Sequence, residues 1–211
     1  MHKYILLLTF LVPFTAFSQE SNLGNWLIYI GSKKLDNQWN IHHEVQYRNY
    51  DAIGDLEQLL LRTGVGKNLT DGNNNLLLGY GFIRSENYTN EEDKIVINEH
   101  RIFQQFITKH SIGKLGLQHR YRFEQRFVED DFKLRFRYFL GISYPLTDQL
   151  YLSSYNEIFL NTVQNAFDRH RLYGGLGYKL SDRIKIELGY MNQFLINTNR
   201  DQINILGFFN F

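Results

Sequence analysis

The last nine residues of the chain constrain its fold more than any other stretch. At the side-chain period of two that a strand imposes, one face of this segment carries Ile203, Ile205, Phe209 and Phe211. The opposite face carries Asn204 and Asn210, and the chain ends on Phe211 without a polar tail. An exposed terminal Phe brings little benefit in water, whereas it suits a strand whose outer face meets lipid. This segment therefore predicts the closing strand of a membrane β-barrel.

The N-terminal segment has the features of a cleaved signal peptide. Lys3 gives a short positive region, residues 5–12 are apolar, and Ala16 and Ser18 place small residues where a signal peptidase reads them. The apolar stretch is too short to cross a bilayer as a helix, which needs about 20 residues. We therefore expect residues 1–18 to be removed and residues 19–211 to form a single barrel domain. The expected location is the outer membrane of a Gram-negative-type bacterium.

Composition narrows the functional classes. The chain has no Cys, which excludes disulfides, thiol catalysis and lipid attachment at a lipobox. Aromatic residues make up 16% of the chain while the mean hydropathy is only −0.37, so the apolar residues are not concentrated in helical spans. The net charge of +1 argues against nucleic acid as a partner. No cofactor is indicated, and the abundant aromatic residues predict an aromatic girdle at the membrane interfaces.

The body of the chain repeats a period-2 segment of about ten residues followed by a turn. For example, Leu134, Phe136 and Tyr138 alternate with Arg135 and Arg137. Eleven such segments are recognisable, at about 24–34, 39–50, 58–69, 76–86, 95–109, 115–127, 134–144, 150–160, 169–180, 183–194 and 202–211. A soluble sandwich also alternates, but this many segments in an exported, aromatic-rich chain favour a barrel. The predicted fold class is all-β, an antiparallel up-and-down transmembrane β-barrel of about 10–12 strands.

The odd number of segments leaves a question open, because bacterial single-chain barrels normally have an even number of strands. Either one strand is not recognised, or the segment around Trp26 passes through the lumen instead of joining the wall. The connections indicate an orientation, since short turns belong on the periplasmic side and longer loops outside. Tight turns occur near residues 35–38, 70–75, 111–114, 145–149 and 181–182, and longer or more acidic links at 51–57, 86–94, 128–133, 161–168 and 195–201.

The inward face is unusually rich in arginine. Alternation places Glu44 there, together with a lumen charge cluster of Arg48, Arg62, Glu99, Arg101, Arg122, Glu124, Arg126, Arg135, Arg137, Glu157, Arg169 and Arg171. Across the hairpin that follows Val128, we expect Glu124 near Arg137 and Arg126 opposite Arg135. Further negative charge is expected from loop acids, namely Asp51, Asp55, Glu57, Glu91, Glu92, Asp93, Glu129, Asp130 and Asp131. Arginine suits such a setting because its planar fork binds carboxylates or phosphate.

Two functions follow from this cluster. The first is a structural ion-pair network inside a narrow barrel. In small barrels the side chains nearly fill the interior. The second is an arginine-lined site for small anions, either a narrow anion-selective channel or a binding pore. In the first case the barrel is plugged, and in the second it passes or holds anions.

A third hypothesis is a lipid-modifying enzyme, which needs a hydroxyl nucleophile beside a His. His43, His119 and His170 are predicted to face lipid, and no catalytic spacing joins them to the strand serines Ser143, Ser153 and Ser154. Catalysis is therefore not expected, and no catalytic residue is assigned. Metal binding has equally little support, because the adjacent His42 and His43 point to opposite faces of one strand.

Several segments resemble a known family. They are the paired segments around Trp26 and Trp39, the runs 119–127 (HRYRFEQRF) and 135–141 (RFRYFLG), and the run 155–161 (YNEIFLN). In these the chain is similar to domain-of-unknown-function family 2490, a family of exported bacterial proteins. The resemblance covers essentially the whole chain after the signal peptide, and it implies an outer-membrane barrel without implying an activity.

A first prediction concerns the C-terminal strand. Phe209 and Phe211, aromatic and outward-facing, are expected to form the signal read by the barrel-assembly machinery, which together with outer-membrane lipid is the expected partner. Deleting Phe211, or adding a charged tail after it, should lower the amount of inserted protein and leave the remainder degraded or periplasmic. Membrane fractionation with heat-modifiable gel mobility measures this, and wild-type membrane levels of the variant would contradict it.

Overall fold

The computed structural model describes residues 23–51, 54–69, 72–90, 93–162 and 166–211, so the predicted signal peptide lies outside the described residues. This part of the chain forms eleven strands: β1 (Leu23–Lys34), β2 (Trp39–Asn49), β3 (Leu56–Asn68), β4 (Asn74–Tyr88), β5 (Lys94–Ile112), β6 (Leu115–Val128), β7 (Asp131–Pro145), β8 (Leu150–Asn161), β9 (Phe167–Lys179), β10 (Ile184–Phe194) and β11 (Asn199–Asn210). Within these ranges, no helix is long and apolar enough to cross a membrane.

The strands close into one barrel in which sequence neighbours pair antiparallel. The ring is completed by β1 and β11, which pair in parallel from Leu23 opposite Asp201 to Ser32 opposite Asn210. Because an odd number of alternating strands leaves the first and last running the same way, only a parallel pair can close them. The predicted all-β fold class and the range of strand numbers are confirmed.

The expectation of an even strand number is wrong, and so is the alternative that the Trp26 segment passes through the lumen. This segment is β1, a wall strand paired with β2 on one side and with β11 on the other. Both of its edges are therefore hydrogen-bonded, which is the condition that lipid imposes on backbone groups.

The C-terminal residue is part of the closing seam. The Phe211 amide donates to the Ser32 carbonyl over 2.9 Å, and the Phe211 carbonyl accepts from the Lys34 amide over 3.1 Å. Outside the barrel, the rings of Phe209 and Tyr29 lie 5.1 Å apart between centroids, and those of Phe211 and His43 lie 5.9 Å apart. The terminal aromatic residues thus pack across the junction that closes the sheet.

The two ends of the barrel differ in charge more than in loop length. We call the end with connections 50–55, 89–93, 129–130, 162–166 and 195–198 the acidic end, and the end with connections 35–38, 69–73, 113–114, 146–149 and 180–183 the basic end. Connections contain two to six residues at the acidic end and two to five at the basic end. Length therefore separates the two ends only weakly. The contrast in charge comes from the strand ends, because the connections of the basic end themselves contain Asp36, Asp148 and Asp182. The strand ends beside these connections carry Lys33, Lys34, Lys67, Lys109, Lys179 and Lys185.

Local chemistry explains the tight turns. In the connection after β1, Asp36 Oδ1 accepts hydrogen bonds from the backbone amides of Gln38 and Trp39, each over 2.7 Å. These bonds stabilise the carboxylate and lower the Asp36 pKa. The two-residue turn after β5 uses Gly113 at a φ of +59°, a conformation that glycine adopts at little cost.

The outer face of the wall is apolar, which generates a second prediction. Leu188 in the middle of β10 and Ile196 in the connection after it are both 59% exposed. Leu188→Arg should lower the free energy of unfolding by roughly 2–4 kcal/mol because the charge enters the hydrocarbon layer. Ile196→Arg is the matched control and should change it by less than about 1 kcal/mol. Equal costs in urea unfolding from lipid vesicles would show that this face does not meet lipid.

Candidate functional site: the charged interior of the barrel

The structure places the sequence-predicted lumen residues on the inner face, where most are buried. The buried members are Arg48, Arg62, Glu99, Arg101, Arg122, Glu124, Arg135, Arg137, Glu157 and Arg171, and Glu44 is buried with them. Two members nearer the acidic end are partly exposed, Arg126 and Arg169. The alternation along each strand accounts for this placement, because successive side chains point to opposite faces.

Glu124 on β6 is at the centre of the network and is 0% exposed. Its Oε2 accepts from Arg135 Nη2 over 2.6 Å and from Arg135 Nε over 2.8 Å, while its Oε1 accepts from Arg137 Nη1 over 2.8 Å. Two guanidinium groups from β7 thus hold one carboxylate. Such charge-assisted contacts are the strong class of hydrogen bond, provided that no member is left unpaired.

Glu157 on β8 extends the network around the barrel. Its Oε1 accepts from Arg137 Nη2 over 2.7 Å and from Arg120 Nη2 over 2.8 Å. Its Oε2 lies 3.9 Å from Arg171 Nη1 on β9. Since Arg137 contacts both Glu124 and Glu157, the side chains of β6, β7, β8 and β9 form one continuous set of ion pairs.

Two further carboxylates belong to neighbouring parts of the interior. Glu99 is held on both oxygens by two forks, with Arg101 at 2.5 and 2.8 Å and Arg126 at 2.5 and 3.0 Å. Glu44 accepts from Arg62 Nη1 at 3.0 Å. Every buried carboxylate of the predicted cluster therefore has at least one guanidinium partner.

Three buried arginines have amide rather than carboxylate hydrogen-bond acceptors. One of them is Arg171, whose Nε donates to Gln193 Oε1 over 2.7 Å. Arg48 donates to Gln46 and, over 2.6 Å, to Gln58 Oε1. Arg122 donates through Nε to Gln105 Oε1 over 2.8 Å, and its Nη1 is 3.8 Å from Glu124 Oε1, beyond hydrogen-bond range. Guanidinium groups therefore outnumber carboxylates in the described interior.

Aromatic rings fill the space between the guanidinium groups. The Phe159 ring on β8 lies 4.3 Å from Arg137 Cζ and 4.6 Å from Arg171 Cζ, measured to its centroid. The Trp26 ring lies 3.8 Å from Arg48 Cζ. These cation–π contacts stabilise desolvated arginine without supplying negative charge. The Phe103 ring lies over Gly79, where a Cβ atom would collide with it.

The pairing across the β6–β7 hairpin corrects the prediction for Arg126 and Arg135. The turn is only Glu129 and Asp130, with Glu129 at a φ of +48°, so Arg126 is opposite Lys133 and Glu124 is opposite Arg135. The expected facing of Arg126 and Arg135 is wrong, because the sequence reading placed the turn too far along the chain. The expected contact of Glu124 with Arg137 is present.

Several members of the network were not predicted. Arg120 binds Glu157, and Asp168 Oδ2 accepts from Arg135 Nη1 over 3.0 Å although it lies at the start of β9. The pairing of β8 with β9 shifts register between Phe159 and Leu160, close to Asp168. Strict alternation along a strand does not predict such a shift, so it could not predict the contact of Asp168 with Arg135. Alternation could have found Phe159, since it lies two residues after Glu157.

Three of the predicted loop acids bind cations of the acidic end instead of the interior arginines. Glu57 Oε1 is 2.5 Å from Arg200 Nη1, and Asp131 Oδ2 is 3.2 Å from Lys133 Nζ. Asp55 forms an ion pair with Lys94. Glu91 and Glu92 lie outside the described residues. In the part of the chain that the structure describes, the interior therefore keeps its excess of positive charge.

The histidines and serines considered for catalysis lie in separate environments. His119 Nδ1 is 2.9 Å from the Tyr138 hydroxyl, and His170 Nε2 is 3.1 Å from Asn156 Oδ1. Ser154 donates to the Tyr173 carbonyl over 2.8 Å. Within the described residues, no group of three or more metal-ligating side chains is close enough to hold an ion.

Comparison with known proteins places this barrel in a family. The family described as "Protein of unknown function (DUF2490)" matches residues 23–204, which is nearly the whole barrel. The chain belongs to this family. The resemblance drawn from the sequence is thereby confirmed. An uncharacterized protein of Methylorubrum extorquens strain AM1 is 32% identical over 164 residues, covering 71% of this chain and 69% of that protein.

Two solved structures of another protein align with part of this chain. OmpT of Vibrio cholerae, an outer membrane protein, aligns in its loop L8 deletion mutant with a TM-score of 0.48 and 15% identity over 81% of this chain. OmpT folded in vitro aligns with a TM-score of 0.42 and 15% identity over 79% of this chain. The chain spans 59% and 52% of the length of those two proteins.

A third prediction follows from the burial of Glu124. Glu124→Gln removes the charge that Arg135 and Arg137 share, so the free energy of unfolding should fall by about 3–5 kcal/mol. Asp131→Asn is the control, because it breaks the Asp131–Lys133 pair, in which Asp131 is 72% exposed, and should cost at most about 1 kcal/mol. Denaturant unfolding of both variants measures the difference. A cost for Glu124→Gln no larger than that of the control would mean that the network does not stabilise the barrel.

Proposed function

We propose that this protein is a closed outer-membrane barrel whose arginine–glutamate network plugs its interior and stabilises its wall. The observation that carries the proposal is the state of Glu124, which is 0% exposed and bound by guanidinium groups of Arg135 and Arg137. A carboxylate lining a water-filled channel would keep a hydrated face. Functional contacts of the protein would then be made at its surface, and the residues of its lumen would have a structural role.

Location in the outer membrane is part of the same proposal. Large apolar side chains remain exposed on the outer face of the wall, including Leu78, Leu172 and Leu188. Charged side chains occupy the inner face, which is the arrangement that a lipid environment favours. Outer-membrane lipid and the barrel-assembly machinery are the partners that this location requires.

Packing around the network supports a plug. Phe103, Phe159 and Leu60 have side chains that are at most 2% exposed although they point into the barrel. Together with the paired arginines, they occupy the middle of the interior. Side chains fill the interior of a barrel of about eight strands, and in this wider ring of eleven strands large side chains occupy the inward positions.

A second candidate is a narrow anion-selective pore, favoured by the arginines without a carboxylate partner. Arg48 and Arg122 bind amide oxygens of Gln46, Gln58 and Gln105. Such groups could exchange an amide acceptor for a passing anion at little electrostatic cost. The lipid-modifying enzyme is not proposed, because Ser154 donates to a backbone carbonyl and the histidines contact other outward-facing groups.

A fourth prediction separates the two candidates. Reconstituted into planar lipid bilayers, the wild-type protein should show no steady current if the interior is plugged. Arg135→Gln should then lower the unfolding midpoint strongly, because it leaves Glu124 and Asp168 short of a partner. Arg122→Gln is the comparison variant, since Arg122 has no hydrogen bond to a carboxylate.

The pore candidate requires the opposite pattern. Wild type would carry a stable anion-selective current, and Arg122→Gln would abolish this current while leaving the unfolding midpoint unchanged. Steady wild-type conductance would therefore overturn the proposal of a plug, whatever the stability of the variants.

A further inference from the structure

Four lysines of the described residues lie on the inward face at the basic end of the barrel, below the charged network. Lys34, at the end of β1, acts electrostatically on Asp36, and the other three are Lys109, Lys179 and Lys185. Lys109 shares the inward face of β5 with the buried Gln105, and Lys185 shares that of β10 with the buried Glu187. Lys179 ends β9 on the same face as the buried Gly177. Their strands come from opposite parts of the ring, so the three side chains converge on one mouth.

The three charges are close enough to oppose one another. Lys179 and Lys185 are directly opposite in the antiparallel register of β9 and β10. Like charges at such positions destabilise a sheet. Lys185 also acts electrostatically on Lys109 across the mouth. This arrangement costs free energy unless negative charge is bound between the lysines.

No carboxylate of the described residues forms an ion pair with these lysines. Glu187, the nearest inward acid on β10, instead accepts hydrogen bonds from Tyr151 over 2.9 Å and from Tyr173 over 3.3 Å. At the acidic end, by contrast, the inward-facing Lys133 is paired with Asp131 at 3.2 Å. The basic mouth therefore differs from the acidic one in that, among the described residues, these three lysines have no carboxylate within ion-pair distance.

Small and polar side chains occupy several inward positions at this mouth. Inward positions of β6 to β8 near the lysines carry Gln118, Ser143 and Ser153, which are exposed or only partly buried. The charged network and the rings of the core close the interior above them. The mouth therefore presents hydrogen-bonding side chains and lysine ammonium groups below a closed interior.

We propose that Lys109, Lys179 and Lys185 form a binding site for a phosphate-type oxyanion, either a free phosphate compound or the head group of an anionic lipid. Ammonium groups are suited to phosphate because each offers three donors and a full positive charge. A multiply charged oxyanion would satisfy all three lysines and remove their mutual repulsion. Binding here requires no passage through the barrel, so it is compatible with a plugged interior.

The test uses the full-length mature protein in a neutral detergent and pyrophosphate as the probe. Equilibrium dialysis against labelled pyrophosphate should give saturable binding that chloride at equal ionic strength does not displace. The double variant Lys179→Gln, Lys185→Gln should bind at least about a hundredfold more weakly, since each lost charge-assisted contact weakens binding by on the order of tenfold.

Lys133→Gln is the matched control, because it removes an inward lysine from the opposite mouth, and it should bind pyrophosphate as wild type does. Removing like charges should leave the double variant folded, which its heat-modifiable gel mobility verifies. Equal affinity of the double variant and wild type would overturn the proposal, as would the absence of saturable binding to wild type.

The source of the phosphate is decided in nanodiscs. If the ligand is a lipid head group, phosphatidic acid in the bilayer should weaken the apparent affinity for pyrophosphate relative to a phosphatidylcholine bilayer. If the ligand is a free phosphate compound, the affinity should be the same in both bilayers. Single-channel current is measured separately, so failure of this proposal is distinguishable from failure of the proposed plug.

Discussion

The parallel hydrogen bonds between β1 and β11 are the contact on which the rest of the barrel depends. In lipid, each unpaired backbone group costs several kcal/mol, so a sheet with two free edges would not persist there. Closure extends to the C-terminus, where Phe211 exchanges backbone hydrogen bonds with Ser32 and Lys34. The aromatic rings of Phe209 and Phe211 cover this seam on the outside. The last strand therefore completes the hydrogen bonding of the first.

Closure also determines the chemistry of the interior. Once the wall is sealed, charged side chains on its inner face lose most of their water, and an unpaired buried charge becomes very costly. The interior meets this constraint because single charged groups form ion pairs with more than one partner. Arg137 binds both Glu124 and Glu157, and Glu99 binds two arginines. Guanidinium groups without a carboxylate partner contact amide oxygens, and guanidinium groups also lie against the ring faces of Trp26 and Phe159.

Charge is graded along the barrel axis. Acids and cations pair at the acidic end, as in Glu57 with Arg200, and arginines exceed carboxylates in the middle. The basic mouth has lysines that lack carboxylate partners among the described residues. This gradient lies on the inner face and at the rims, while the outer face of the wall is apolar. The proposed oxyanion site lies at the basic end, where these lysines have no ion-pair partner among the described residues.

The sequence by itself determined the strand segments, the closed all-β class and the face of nearly every side chain, because a period of two is a local property of an extended chain. It could not determine partners across strands. Tertiary structure decided that Arg126 binds Glu99 instead of facing Arg135, and that Asp168 reaches Arg135. A turn of two residues and a register shift set those contacts, and moving either by one residue would change every pair beyond it. Tertiary structure also decided the parallel closure of eleven strands, since which edges meet depends on the whole ring.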